Sequence, residues 1–216
     1  EDLSSRRRCL DLLQPLGVRS TDRRMVLKVS DEERASGREE LAAAGIAPGE
    51  RYACLVPATT WAQKHWLEEH WSELADLLRA QMGLSPVVLG SPADVPLAER
   101  IAEATTGGCA VVAGRTSLKS AAAVLEGAAL TVAVDTALMH ASVAVGTPTV
   151  GVCGASWWHG FQDYENFALV REAMDCSPCL HHPSCEGRFD CMRALTPERV
   201  LAAARRLRGT PVPVLS

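Results

Sequence analysis

Six short apolar segments, separated by helical patterns, constrain the fold of this chain more than any other feature. They span residues 53–56, 86–89, 110–113, 130–134, 149–152 and 167–170. Helical spacing between them is clearest at Leu67, Trp71, Leu74 and Leu78. The segments are apolar throughout, which is typical of parallel strands covered on both faces. Repeated strand–helix–strand units therefore predict an α/β fold with a doubly wound, mostly parallel, Rossmann-like sheet.

The remaining helices and the first fifty residues set the predicted domain boundaries. Further helices are predicted over 97–104, over 117–127 with Ser117 as the N-cap, and from Pro197 onward. Near the start, a helix over 5–16, a strand over 25–29 and a capping box at Ser30 before a helix to about Gly45 are predicted. We expect residues 1–50 to be the remnant of a preceding domain with a connector. Residues 51–208 would then form the sheet domain, and 209–216 a tail.

The net charge of −4 gives no electrostatic basis for nucleic-acid binding. The basic clusters are Arg6-Arg7-Arg8 and Arg23-Arg24, which fit either a solvated helix face or an anionic membrane surface. No apolar run has bilayer-spanning length and no signal peptide opens the chain, so we expect a cytoplasmic protein, with peripheral membrane association as an option. The first residue is Glu, which suggests a trimmed chain or a fragment.

Two turns carry the candidate chemistry, and the first lies at Asp135-Thr136. A β-branched run ends there and a small-residue helix begins, with His140 one turn in and Gly146-Thr-Pro148 at its end. Open α/β sheets bind ligands at the carboxyl ends of their strands, and the N–H groups of a helix N-terminus favour anions. The alternative is that Asp135 or Thr136 only caps the helix.

The second turn follows the first predicted strand and contains Thr59, Thr60 and Lys64. Adjacent hydroxyls and an ammonium beside a helix start suit a phosphate group. The Gly-rich pattern of a P-loop is missing from this segment. Alternatively, the threonines are turn residues and Lys64 is a solvated side chain.

Together these segments resemble the lipopolysaccharide heptosyltransferases. One matching segment is Ala58-Thr-Thr…Lys64-His-Trp…Glu-Glu-His-Trp71, and the other is Asp135-Thr136-Ala137-Leu-Met-His140 followed by Gly-Thr-Pro. The resemblance covers about residues 50–155. It implies the C-terminal half of a two-domain GT-B glycosyltransferase, which binds an ADP-heptose-like donor.

The resemblance also implies roles for individual residues. Lys64, helped by Thr59 or Thr60, would contact the donor diphosphate. The N–H groups of Thr136 and Ala137 would face it as well. Asp135 would fix the turn and touch the sugar. Asp94 would bind the ribose hydroxyls, or it would only start a helix. His140 would contact the ligand or hydrogen-bond a backbone carbonyl.

One residue departs from the family pattern: the glycine of the second motif is Ala137 here. Glycine permits a positive φ or a close approach of phosphate more readily than alanine does. The family further implies inverting transfer to a lipid-linked saccharide by a base in the missing domain, without a catalytic metal. A protein-modifying relative and a non-catalytic nucleotide-sugar-binding module are the alternatives.

Four of the eight cysteines fall within sixteen residues, at Cys176, Cys179, Cys185 and Cys191. Such spacing suits a structural Zn or Fe site, for which His181 and His182 are spare nitrogen ligands. Reduced thiols, or disulfides in an exported protein, are the alternatives.

Overall fold

A six-stranded, fully parallel sheet forms the centre of the computed structural model, which describes residues 5–20, 22, 24–156, 164–180 and 182–208. The strands are β1 Tyr52–Val56, β2 Ser85–Val88, β3 Ala110–Val111, β4 Leu130–Val134, β5 Thr149–Val152 and β6 Phe167–Val170. Their spatial order is β3-β2-β1-β4-β5-β6, and every neighbouring pair is parallel. The predicted doubly wound α/β class is confirmed.

Helices cover both faces of the sheet. They are α1 Ser5–Leu13, α2 Asp31–Ala43, α3 Glu68–Met82, α4 Val95–Ala104, α5 Leu118–Gly127, α6 Ala137–Ala144, α7 Asp190–Arg193 and α8 Pro197–Arg208, with 3-10 turns at Gln14–Leu16, Ala62–Lys64 and Pro92–Asp94. The predicted capping box at Ser30 and the predicted N-cap at Ser117 are both present. Within the described ranges, no helix is long and apolar enough to cross a bilayer.

Alternate residues of β1 face two separate cores. Leu55 packs with side chains of α3, α4 and α8, whereas Cys54 packs with side chains of α2, α5 and α6. Gly37 of α2 lies so close to α5 that an added Cβ would be 3.2 Å from the Cβ of Ala123. Since Leu41 of α2 belongs to the second core, the chain from Ser30 onward is packed against the sheet.

The predicted strand over 25–29 is wrong. This segment is irregular, and its N–H groups bond elsewhere: Met25 donates to the Tyr164 hydroxyl and Leu27 to the carbonyl of Ala144 at the end of α6. Among the described residues, this segment bonds to Tyr164 and to the end of α6, and it pairs with no strand. The strand predicted over 110–113 covers only Ala110–Val111 in the structure. It ends there because the N–H groups of Val112 and Ala113 both donate to the Val88 carbonyl.

The reversal of strand order places a crevice between β1 and β4. The chain runs from β1 outward through β2 and β3, then returns to β4 on the other side of β1. Open α/β sheets bind ligands at such switch points, outside the carboxyl ends of the strands. The turns that follow β1 and β4 contain Lys64 and Asp135, so both candidate motifs lie at this position.

Candidate functional site

A buried ion pair joins the two candidate turns. The Nζ atom of Lys64 lies 2.6 Å from Oδ2 of Asp135, and the two side chains are 16% and 4% exposed. Lys64 ends the 3-10 turn after β1, whereas Asp135 follows β4 directly. A carboxylate this deep needs a partner, because an unpaired buried charge is strongly destabilising. Lys64 is the more exposed member of the pair.

Hydrogen bonds hold Asp135 and its turn in place. Ser156, just beyond β5, donates from Oγ to Oδ2 of Asp135 over 2.7 Å. Thr59 donates from Oγ1 to the Asp135 backbone carbonyl over 3.0 Å, and its own carbonyl lies 2.8 Å from Nε2 of His65. The Thr59 hydroxyl is thus used within the protein, whereas Thr60 is exposed.

The N-terminus of α6 opens beside the pair. Thr136 is the N-cap residue in an extended conformation, and its side chain makes no capping hydrogen bond. Ala137 is the first residue of α6 and is exposed. Positive φ values of described non-glycine residues occur at Leu180, Glu186 and Phe189, so Ala137 does not adopt the left-handed conformation that would require glycine. Backbone strain is therefore no obstacle to alanine at this position.

His140 belongs to the same cluster. Its Nε2 atom lies 3.9 Å from Oδ1 of Asp135. Burial lowers the pKa of His140 and the Lys64 ammonium lowers it further, although the Asp135 carboxylate opposes them. Burial, reinforced by Asp135, raises the pKa of the adjacent Cys153 thiol, so that thiol is protonated at neutral pH.

A cavity of about 260 Å³ adjoins the pair along the same edge of the sheet. Its walls come from the ends of β1 and β2, the loop after β3 and the start of α6, and include Ala58, Gly90, Asp94, Thr116, Ser117, Leu118 and Thr136. Asp94 lines this cavity, but its Oδ2 accepts two hydrogen bonds of 2.7 Å, from the N–H and the hydroxyl of Ser91. The structure therefore shows the helix-start role of Asp94, and ribose binding stays a prediction.

Sequence reasoning missed several residues of this site. Thr116 and Leu118 belong to no sequence motif, and the sequence predicts only a helix-capping role for Ser117. Their position between the end of β3 and the start of α5 is a usable signal, since the carboxyl ends of parallel strands share one edge. Ser156 offered a weaker signal as a small polar residue shortly after β5.

The four cysteines of the predicted metal site are free thiols of unequal exposure. Cys176 is exposed and Cys179 partly exposed, whereas Cys185 and Cys191 are buried. Burial raises the pKa of Cys191, and the nearby Cys179, Cys176 and Cys185 raise it further. Within the described residues, no group of three or more His, Cys, Asp or Glu side chains is arranged to hold a metal ion. His181 lies outside those residues, and His182 is exposed.

The fold and the crevice define a class: this is a Rossmann-like domain of the kind found in GT-B glycosyltransferases. A family model described as glycosyltransferase family 9 (heptosyltransferase) matches residues 6–189. Lipopolysaccharide heptosyltransferase 1 of Pseudomonas aeruginosa is 36% identical over 179 residues, covering 76% of this chain and 49% of that protein. The chain belongs to glycosyltransferase family 9.

Solved structures share this fold. Glycosyltransferase family 9 from Veillonella parvula superposes with a TM-score of 0.76 at 20% identity, covering 92% of this chain and 58% of that one. E. coli heptosyltransferase WaaC with ADP-2-deoxy-2-fluoro heptose superposes with a TM-score of 0.58 at 28% identity. The superposition covers 79% of this chain and 47% of that one. The chain thus spans about half the length of the Pseudomonas relative and of WaaC.

Proposed function

We propose that this chain is the donor-binding half of a glycosyltransferase that takes heptose from an ADP-heptose-like nucleotide sugar. The observation that carries the proposal is the Lys64–Asp135 pair, whose ammonium borders the N-terminus of α6 at the switch point. A cation and a helix N-terminus at one position are suited to a diphosphate.

The cavity beside the pair suits the nucleoside. Ligand pockets commonly measure roughly 300–1,000 Å³. A cavity of about 260 Å³ is therefore sized for part of a nucleotide sugar rather than all of it. We place the base and ribose between Asp94 and Thr116, the diphosphate at Lys64 and Ala137, and the sugar toward the open crevice, within reach of His140.

The proposed reaction is an inverting transfer. A base in a preceding domain removes the proton from an acceptor hydroxyl, whose oxygen attacks the anomeric carbon while the ADP oxygen leaves. Charge grows on the leaving diphosphate, and Lys64 together with the first N–H groups of α6 stabilises it. We propose a lipopolysaccharide-core saccharide as the acceptor, met in the cytoplasm at the membrane face.

Nucleotide titration by calorimetry tests the donor assignment. We expect ADP to bind at least about tenfold more tightly than AMP, because the second phosphate adds a charge-assisted contact of more than about 1.4 kcal/mol. We expect the same affinity in EDTA, since Lys64 and α6 supply the positive charge. Equal affinity for AMP and ADP, or no binding of either, would contradict the proposal.

We also propose that the cysteine cluster holds a structural Zn or Fe ion after the loop closes around it. The Cys-x2-Cys spacing, with two further cysteines within the same sixteen residues, supports this proposal, because it can supply four ligands to one tetrahedral ion. Elemental analysis should then find about one metal per chain. Cys179→Ser should lose the metal and Cys9→Ser should keep it, whereas a well-folded protein without metal would refute the site.

A further inference from the structure

The segment between Cys176 and Cys191, termed the cysteine loop, contacts two segments that reach the Lys64–Asp135 pair, namely the 3-10 turn at Ala62–Lys64 and residues 154–156 after β5. Leu180 makes two of these contacts through its backbone. Its N–H donates to the carbonyl of Ala155 over 2.8 Å, and its carbonyl accepts from Nε2 of Gln63 over 2.8 Å. One residue of the loop therefore joins the chain beside Lys64 to the chain beside Ser156.

Gln63 and Lys64 are consecutive residues of one 3-10 turn, and their side chains contact different parts of the protein. Gln63 is 5% exposed and points its amide at the cysteine loop, whereas Lys64 reaches Asp135. The turn is closed by the bond from the Lys64 N–H to the Trp61 carbonyl over 2.9 Å. Because the two residues share the backbone of this turn, the bond from Gln63 to Leu180 constrains the backbone that carries Lys64.

Residues 154–156 after β5 contact the cysteine loop as well. Ser177 donates from Oγ to the carbonyl of Gly154 over 2.5 Å. Gly154 packs directly on Cys191, since an added Cβ at Gly154 would lie 2.6 Å from that Sγ atom. Ser156, two residues further on, donates to Asp135.

We propose that the cysteine loop is a clamp that positions Lys64 and Ser156 for the donor diphosphate, with Gln63 as the positioning residue. The inference rests on the proposed donor site. Coupling between two sites is reciprocal, so a nucleotide at Lys64 must also order the cysteine loop. The clamp consists of the hydrogen bonds described above.

The test compares ADP binding by wild type and Gln63→Met, which keeps the buried volume and removes the bond to Leu180. We expect binding about fivefold to tenfold weaker, as the loss of one positioning hydrogen bond gives. Thr147→Val is the matched control. Thr147 is also buried, and its hydroxyl donates a hydrogen bond of 2.7 Å to the Leu125 carbonyl, which takes no part in the clamp contacts. It should lower the melting temperature and leave ADP affinity unchanged.

Hydrogen–deuterium exchange supplies a readout that a merely structural role would not change. ADP should slow amide exchange in the cysteine loop of wild type, slow it much less in Gln63→Met, and leave α2 unaffected in both. Either of two results would overturn the clamp alone: wild type that binds ADP without slower exchange in the cysteine loop, or Gln63→Met that binds ADP with wild-type affinity. Absence of ADP binding by wild type would overturn the donor site and the clamp together.

Discussion

Lys64→Met is expected to weaken ADP binding about 100-fold, because a lost charge-assisted contact of roughly 2.7 kcal/mol corresponds to two decades of affinity. The same substitution should lower the free energy of unfolding by about 3 kcal/mol, since it leaves the buried Asp135 carboxylate without its cation. Calorimetry and chemical denaturation measure the two effects separately. The pair thus predicts a coupled loss of binding and stability from one side chain.

Two further variants separate these effects. In Lys64→Met with Asp135→Asn, the buried charge is gone and Ser156 still has an oxygen to donate to, so stability should return to within about 1 kcal/mol of wild type. ADP affinity should stay low. Lys119→Met removes the same charge from an exposed lysine, 79% exposed and paired with Glu33, and should change neither quantity. Recovery of ADP binding in the double variant would show that Lys64 acts only through stability.

Ala137→Leu should weaken ADP binding about 30-fold, which corresponds to roughly 2 kcal/mol. Ala137 is exposed at the first position of α6, so a leucine side chain there would cover the N–H groups that face the diphosphate. Stability should change by less than about 0.5 kcal/mol, as is usual for an exposed position. Calorimetry at matched protein concentration measures the affinity.

Ala137→Gly and Ala202→Leu are the matched variants for this prediction. Restoring the family glycine should change the affinity less than about threefold, because Ala137 already has a helical rather than a left-handed backbone. Ala202 is an exposed alanine of α8, and a leucine there should leave ADP binding intact. Wild-type affinity in Ala137→Leu would remove α6 from the proposed diphosphate site.

The sheet was predictable because its strands are apolar on both faces and thus independent of detailed context. Leu130–Val134 and Thr149–Val152 were predicted to the residue. The segment 25–29 has a similar composition, but among the described residues it bonds to the end of α6 and to Tyr164 instead of a strand. Only the assembled fold shows this difference. Pairing partners are tertiary information, so local composition could not decide the structure of that segment.

The candidate site was predictable as a place but not as a set of contacts. The spacing of the motifs brought Lys64 and Asp135 to the carboxyl edge, yet their direct ion pair depends on two turns 71 positions apart in the chain. Gln63 and Ser156 carried no motif, and their roles depend on which backbone lies opposite each side chain. Asp94 shows the converse, because its local bonds to Ser91 follow from sequence neighbours alone.

A crystal structure of this protein with ADP tests the central claim most directly. We predict the diphosphate within hydrogen-bonding distance of the Lys64 ammonium and the Ala137 N–H, with the adenosine between Asp94 and Thr116. The Lys64–Asp135 pair should persist, with the ammonium shared between carboxylate and phosphate. ADP bound elsewhere, or with its phosphates pointing away from the start of α6, would contradict the account.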